Sequence, residues 1–188
     1  RTGFVFQGAA LFDSLTVAEN IAFPIRQSNS QITSDTVLCD EDIISLVIES
    51  LREVGLADNV CQCYPMEISG GMRKRVAIAR ANILKPDLML YDEPTTGLDP
   101  IASDVINELI MRSRLQHTVT SVIVTHDMKT ARKVADRVIM FHPIDRLTEN
   151  DAQIIFDGPP SVLDHHADLR IKQFIHGEAG QRVIELSD

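Results

Sequence analysis

The sequence predicts an α/β domain with a mainly parallel sheet and a helical insert. Three observations carry that prediction. Short apolar runs of strand length alternate with stretches whose apolar residues recur at helical spacing, the pattern of strand–helix–strand units. Residues 14–60 interrupt the alternation with helical periodicity and no further strand-like run. The apolar runs also end in residues capable of chemistry (Gln7, the pair Asp92-Glu93, and His126), and ligands in such sheets collect beyond the carboxyl ends of the strands.

Each element follows from its residues. Gly3-Phe4-Val5-Phe6 reads as a strand running into a loop at Gln7-Gly8. Thr16 and Glu19 form a capping-box pattern at a helix start, and Pro24 is expected to disturb that helix. Residues 27–40 are polar and irregular and read as a surface loop. Ile43, Ile44, Val47, Leu51 and Val54 then fall at helical spacing, with Gly55 as the stop signal. After Gly71 a helix carries Met72, Val76, Ala79 and Ile83 on one face, and Lys85-Pro86-Asp87 ends it. Leu88 to Tyr91 is a continuous apolar run, expected to be a strand buried on both faces. Helices follow at Ile101–Arg114 and Met128–Ala135, with a second buried strand between them at Ser121–Thr125. Val138–Phe141 and Gln153–Phe156 read as strands joined by a polar loop. The tail is helical around Ser161–Leu163 and Leu169–Ile175.

Composition narrows the function classes. The 188 residues suffice for one domain with a sizeable core, and 44% hydrophobic with 24% charged residues is ordinary for a globular chain. The net charge of -9 lacks the basic footprint of a nucleic-acid binder, and Arg73-Lys74-Arg75 is too short a run to supply one. No apolar run approaches the roughly 20 residues of a membrane-spanning helix. Cys39, Cys61 and Cys63 imply no disulfide framework, and Cys61-Gln62-Cys63 has no second ligand pair at metal-site spacing.

Two places carry chemistry. Asp92 and Glu93 are adjacent carboxylates at a strand end; like charges this close call for a cation or a proton-transfer task nearby. A lone Asp-Glu pair is more often two solvated loop acids, but the apolar strand before it and Pro94-Thr95-Thr96-Gly97-Leu98-Asp99 after it favour a site. Ser69 is a good helix N-cap, and Gly70 and Gly71 remove side chains that would block an anion from the free N–H groups of the helix start. Arg73, Lys74 and Arg75 add positive charge there. His126, after a third apolar run, can hydrogen-bond a terminal phosphate, and Gln7 can ligate Mg²⁺ or orient water. Alone, such a histidine is more often a packed or surface residue, and such a glutamine says almost nothing.

Taken in order, these segments resemble the ATP-binding subunit of an ABC transporter, over nearly the whole chain. "FVFQGAALFDSLTVAENI" resembles the Q-loop region, "ISGGMRKRVAIARA" the signature motif, and "LMLYDEP" the Walker B strand with its glutamate. "TGLD" resembles the D-loop, "VIVTHD" the switch histidine, and "ADRVIMF" with "IIFDGPP" the closing strands. The resemblance implies a P-loop NTPase-like ATPase domain that binds ATP and Mg²⁺ and hydrolyses the nucleotide. It implies that Gln7 contacts Mg²⁺ and that Asp92 holds it. Glu93 would activate water and His126 would contact the γ-phosphate. Ser69, Gly70 and Gly71 would bind the γ-phosphate of ATP held by a second ATPase subunit of a homodimer, and Asp99 would link the two sites.

Met72 in "SGGMRKRVAIARA", together with "TVAENIAFPIR" and "DLRIKQFIHGEA", resembles the ATPases of Mla/MCE-type lipid transporters. That likeness implies an integral membrane permease and an MCE-domain protein as partners, phospholipid as cargo, and a peripheral place on the cytoplasmic face of the inner membrane. The alternative is an importer ATPase for amino acids or other small solutes. A chromosome-type ABC protein fits less well, since it needs long coiled-coil arms and no heptad run is present, and a translation-type one carries two ATPase units on one chain. On this reading 1–188 is one ATPase domain lacking its N-terminal portion. Residues 14–85 are the helical and signature part, 86–158 run from Walker B to the closing strands, and 159–188 are a C-terminal extension. The phosphate-cradling G-x-x-x-x-G-K-[ST] loop is not among these residues, so the expectation is that they bind ATP poorly by themselves.

Overall fold

The computed structural model describes residues 1–29, 38–117, 119–147 and 152–178. Its contacts divide the chain into two compact units, Arg1–His126 and Asp127–Asp188.

The first unit is built on three parallel strands in the order β1 (Thr2–Val5), β2 (Leu88–Asp92), β3 (Thr120–Val124). Val5 is in register with Tyr91, and Asp92 with Val124. Because all three strands run the same way, the residues just past them, Gln7, Glu93 and His126, emerge at one edge of the sheet. Gly3 allows β1 to approach its neighbours. A Cβ there would lie 2.7 Å from the Ala81 carbonyl oxygen and collide with the Met89 sulfur.

Helix α1 (Val17–Asn29) starts at the expected capping box. Thr16 N–H donates to Glu19 Oε2 (2.8 Å), and Glu19 N–H donates to Thr16 Oγ1 (3.3 Å). Pro24 does not disturb it; the helix continues to Asn29, anchored by the fully buried Ile21 and Ile25 on either side of the proline. Residues 27–29, read as loop, therefore belong to α1, and most of the remaining expected loop lies outside the described residues. Asn20, completely buried, ties the preceding loop to α1. Its amide donates to the carbonyls of Phe12, Leu15 and Thr16 at 3.0–3.1 Å, and its Oδ1 accepts from Phe12 N–H at 2.8 Å.

Helix α2 (Asp40–Glu53) buries Ile43, Val47 and Leu51, while Ile44 turns outward, 57% exposed. Gly55, at φ +69°, ends it as expected. Helix α3 (Gly70–Asn82) is buried on more than the one face expected: Lys74, Val76, Ala77, Ile78 and Ala79 are all enclosed, while Met72 and Ile83 are only partly covered. It lies against α1, α2, β1 and α4 (Pro100–His117), so most of its circumference meets protein. The strands also depart from expectation. In β2 only Met89 and Tyr91 are fully buried, and in β3 Val122 and Val124 are 50% and 60% exposed. Alternate residues of a strand point to opposite faces, so one covered face leaves half of each run open.

In the second unit, β4 (Val138–Phe141) and β5 (Ile154–Gly158) form an antiparallel pair with their own ladder. Met140, Phe156, Leu163 and Ile171 make its core, joining the pair to α6 (Leu169–His176) and to a 3-10 turn at Pro160–His165. Asp127 caps α5 (Met128–Val134) and Asp168 caps α6, each accepting from the backbone N–H two residues on.

Candidate active site

The site begins at the end of β2. Glu93 N–H donates to the Val124 carbonyl at 2.9 Å, continuing the ladder one residue past Asp92. The chain then turns sharply, and Glu93 takes φ +45°, a left-handed conformation that a non-glycine residue adopts only when its surroundings hold it there. The result is a carboxylate folded back over the sheet edge. Its Oε1 accepts from His126 N–H at 3.1 Å and lies 2.7 Å from His126 Nδ1; its Oε2 accepts from Thr96 Oγ1 at 2.8 Å. An ionised carboxylate only accepts, so Nδ1 carries the imidazole proton and Nε2 is left for another partner.

Partial burial pushes the Glu93 carboxyl upward, but hydrogen bonds from His126 and Thr96 outweigh it and hold the group below the ordinary glutamate value. Glu93 is therefore charged at neutral pH. His126 is largely solvent-facing, with 69% of its side chain exposed, whereas the Glu93 side chain is 17% exposed. One member of the pair is enclosed and the other open to a ligand.

Behind this pair sits Lys74, only 6% exposed. Its ammonium donates to the backbone carbonyl of Gln7 and, at 3.1 Å, to that of Glu93. Burial lowers its affinity for a proton, and the attraction of Glu93 and Asp92 works against that. Of Arg73, Lys74 and Arg75, expected to add charge at the helix start, Arg75 lines the groove of Ser69–Gly71 and the Arg73 guanidinium would lie 3.7 Å from a Cβ at Gly70, while Lys74 turns inward. Arg73 donates to the carbonyls of Ile68 (2.9 Å) and Pro65 (3.4 Å), and Arg75 to that of Gly55 (3.0 Å). Long cationic side chains at these positions serve as backbone clamps.

The loop after β1 is clamped too. Ala9 and Ala10 both have positive φ, +65° and +46°, and Arg80 of α3 donates to both carbonyls, at 3.0 and 2.8 Å. Gln7 is exposed beside them, its carbonyl held by Lys74.

The second group of expected site residues meets around a separate groove. Ser69, Gly70 and Gly71 line it together with Gly97, Leu98 and Asp99. Ser69 caps α3, accepting from Met72 N–H at 3.3 Å. Gly70 and Gly71 take ordinary helical angles, and Cβ atoms built on them would meet nothing closer than 3.7 Å. Nothing in the described protein crowds a side chain at either position. Asp99 caps α4, its Oδ1 accepting from Ile101 and Ala102 N–H at 2.9 Å each, with Pro100 at the first helical position.

Residues 1–96, half of the chain, match the family model described as ABC transporter. The chain belongs to the ABC transporter ATP-binding family. It is 37% identical over 179 residues to the intermembrane phospholipid transport system ATP-binding protein MlaF of Haemophilus influenzae, covering 95% of this chain and 62% of that protein. It is also 37% identical over 175 residues to the probable ribonucleotide transport ATP-binding protein mkl of Mycobacterium leprae, covering 93% of this chain and 46% of that one. Among solved structures it resembles a dimeric ATP-binding cassette in a post-hydrolysis state bound to ADP and Pi. The TM-score is 0.64 at 32% identity, over 74% of this chain and 57% of that one. The chain thus spans less than two thirds of the length of the curated relatives it matches.

Against the ABC family pattern, Gln7, Asp92, Glu93 and His126 fall at one sheet edge, and Ser69, Gly70, Gly71 and Asp99 around the signature groove. Three residues escaped the sequence reading. Thr96 was visible only as part of the run after Glu93, Arg80 as a helix residue, and Lys74 as one of three cations adding charge at the helix start, not as the one that turns inward. Among the described residues no cluster of three or more His, Cys, Asp or Glu is gathered to hold a metal ion. One strand-end carboxylate and one amide still fit Mg²⁺, which keeps several waters and takes phosphate oxygens with one or two carboxylates.

Proposed function

We propose that this chain is part of the ATP-hydrolysing subunit of an ABC transporter that moves phospholipids between bacterial membranes. The observation that carries the reading is the enclosed, ionised Glu93 hydrogen-bonded to the exposed His126 beside Asp92, all at the carboxyl edge of one parallel sheet. In this reading Asp92, with Gln7, holds Mg²⁺, which neutralises charge on the phosphates. Glu93 takes a proton from water as the water oxygen attacks the γ-phosphorus and ADP leaves. His126 is kept in one tautomer by Glu93, so Nε2 faces the γ-phosphate. Ser69, Gly70 and Gly71 serve the ATP of a second subunit, and Asp99 lies where the two copies meet.

Residues 14–85 form the helical and signature part, 86–158 the Walker B to closing-strand part, and 159–188 the C-terminal extension. The similarity to MlaF supports phospholipid as the cargo. An integral membrane permease and an MCE-domain protein are the partners, and the subunit works peripherally at the cytoplasmic face of the inner membrane. Among the described residues no helix is long and apolar enough to cross a membrane.

In the full-length protein, Glu93→Gln is expected to keep nucleotide binding and to lower ATP turnover by about a hundredfold or more, the scale of a lost general base. Unchanged turnover removes Glu93 from that role. Affinity capture of the subunit is expected to bring down a permease and an MCE-domain protein; capture of a periplasmic solute-binding protein instead makes it a small-solute importer.

A further inference from the structure

We infer that Lys74 is a positioning residue that fixes Glu93 and the Gln7 loop relative to each other from the signature helix. The inference rests on the ATPase reading above and adds a residue to it. Three observations carry it. Lys74 is buried on a helix whose neighbouring cations, Arg73 and Arg75, bind carbonyls elsewhere, so its placement is not a general property of the run. Its one ammonium reaches two carbonyls that are 86 residues apart in sequence, those of Gln7 and Glu93. The second of these belongs to the residue held at φ +45°.

Glu93 is pinned at its N–H by β3 and at its carboxylate by His126 and Thr96; its carbonyl accepts from Thr96 N–H within the turn at 3.3 Å and from Lys74 at 3.1 Å, and Lys74 is the hold that also reaches Gln7. A left-handed non-glycine residue relaxes when such holds are removed, and its carboxylate swings with the backbone. Lys74 touches no reacting atom. Its effect passes through the angle at which Glu93 presents its carboxylate and through the position of Gln7. The same ammonium brings a fixed positive charge behind two adjacent carboxylates, opposing their mutual repulsion. The ammonium also requires α3, the Gln7 loop and the end of β2 to move together, since any one moving alone leaves a buried charge without its partners.

The test uses the full-length subunit and three variants: Lys74→Met, which fills the space but donates nothing, Lys74→Arg, which keeps donors, and Lys74→Gln, which keeps an N–H but loses reach. Lys74→Met is expected to lower kcat about tenfold or more, the scale of losing one or two charge-assisted hydrogen bonds. KM for ATP and binding of a fluorescent ATP analogue are expected to stay within about twofold, with backbone amides at residues 8–10 and 93–96 exchanging faster than the rest. Lys74→Arg is expected to recover kcat in part.

An unchanged kcat in Lys74→Met overturns the inference, as does a fall in kcat matched by a rise in KM and uniformly faster exchange, which marks general destabilisation. If Lys74→Met does not fold, the order Lys above Arg above Gln in kcat at constant KM supports the inference, and equal kcat for Gln and Lys overturns it. Loss of turnover in the wild-type protein is a different outcome: it removes the ATPase reading and not the placement of Lys74.

Discussion

At the scale of the residue, Gly71 makes the sharpest case. Glycine near a helix start costs conformational entropy, and nothing in the described protein crowds a Cβ there. Gly71→Ala is therefore expected to leave the folded protein as stable as before, or more stable by up to about 1 kcal/mol, while ATP turnover in the full-length subunit is lost. A thermal melt beside an ATPase assay checks this, and a lowered melting temperature shows that the glycine is needed for folding. The positions of Glu93 and His126 at the sheet edge were legible because each lies two residues past an apolar run, and a strand end leaves little choice of where such a residue emerges. Lys74 was not legible. Three consecutive cations look alike in sequence, and only the rotation of α3 decides which one turns inward. Thr96 was hidden for a related reason: its hydroxyl matters only because Glu93 turns left-handed and folds back on it.

At the scale of the element, most of the fold could be read from periodicity, caps and stop signals. The capping box at Thr16 and Glu19 and the stop at Gly55 both stand where the residues placed them. The failures have physical causes. Pro24 costs α1 one backbone hydrogen bond, but two buried isoleucines hold the helix across it. The runs of β2 and β3 are uniformly apolar, which hides the difference between their covered and open faces. Two substitutions test the packing described. Asn20→Ala strands the Phe12 N–H and the Leu15 carbonyl, while the Phe12 carbonyl keeps Leu15 N–H, and is expected to cost about 1–3 kcal/mol in a urea titration. A cost near zero means that water replaces the amide. Gly3→Ala drives a methyl into the Ala81 carbonyl, and a backbone atom cannot rotate away; a loss of about 1–3 kcal/mol is expected by the same titration. An unchanged midpoint indicates that β1 sits farther from α3 than described.

At the scale of the whole molecule, acid should be the condition that loosens it. Hydrogen bonds from Arg52, Arg137 and Arg170 hold Asp58, Asp157 and Asp168 below their ordinary values, and Glu93 is lowered by His126 and Thr96 against the effect of burial. A carboxyl lowered in the folded state binds its proton more readily when unfolded. Its contribution is therefore present above the unfolded value, near pH 4, and is lost as pH falls through the folded values. Urea midpoints are expected to hold from pH 7 to about pH 5 and to fall between roughly pH 4 and pH 2. A midpoint independent of pH in that window shows the pairs to be fully screened.

Assembly belongs to this scale as well. Ser69, Gly70 and Gly71 line a groove in a single copy. The proposed function places in it an ATP seated against Glu93 of another copy. Mixing full-length Glu93→Gln and Gly71→Ala subunits tests this most directly, since each is expected to be inactive alone. If the two motifs of different copies share a site, a mixed dimer holds one site with both lesions and one with neither. Random pairing then restores about a quarter of wild-type turnover. If the mixture stays as inactive as its parts, each copy uses its own Gly71 with its own Glu93, and the two-copy site is wrong.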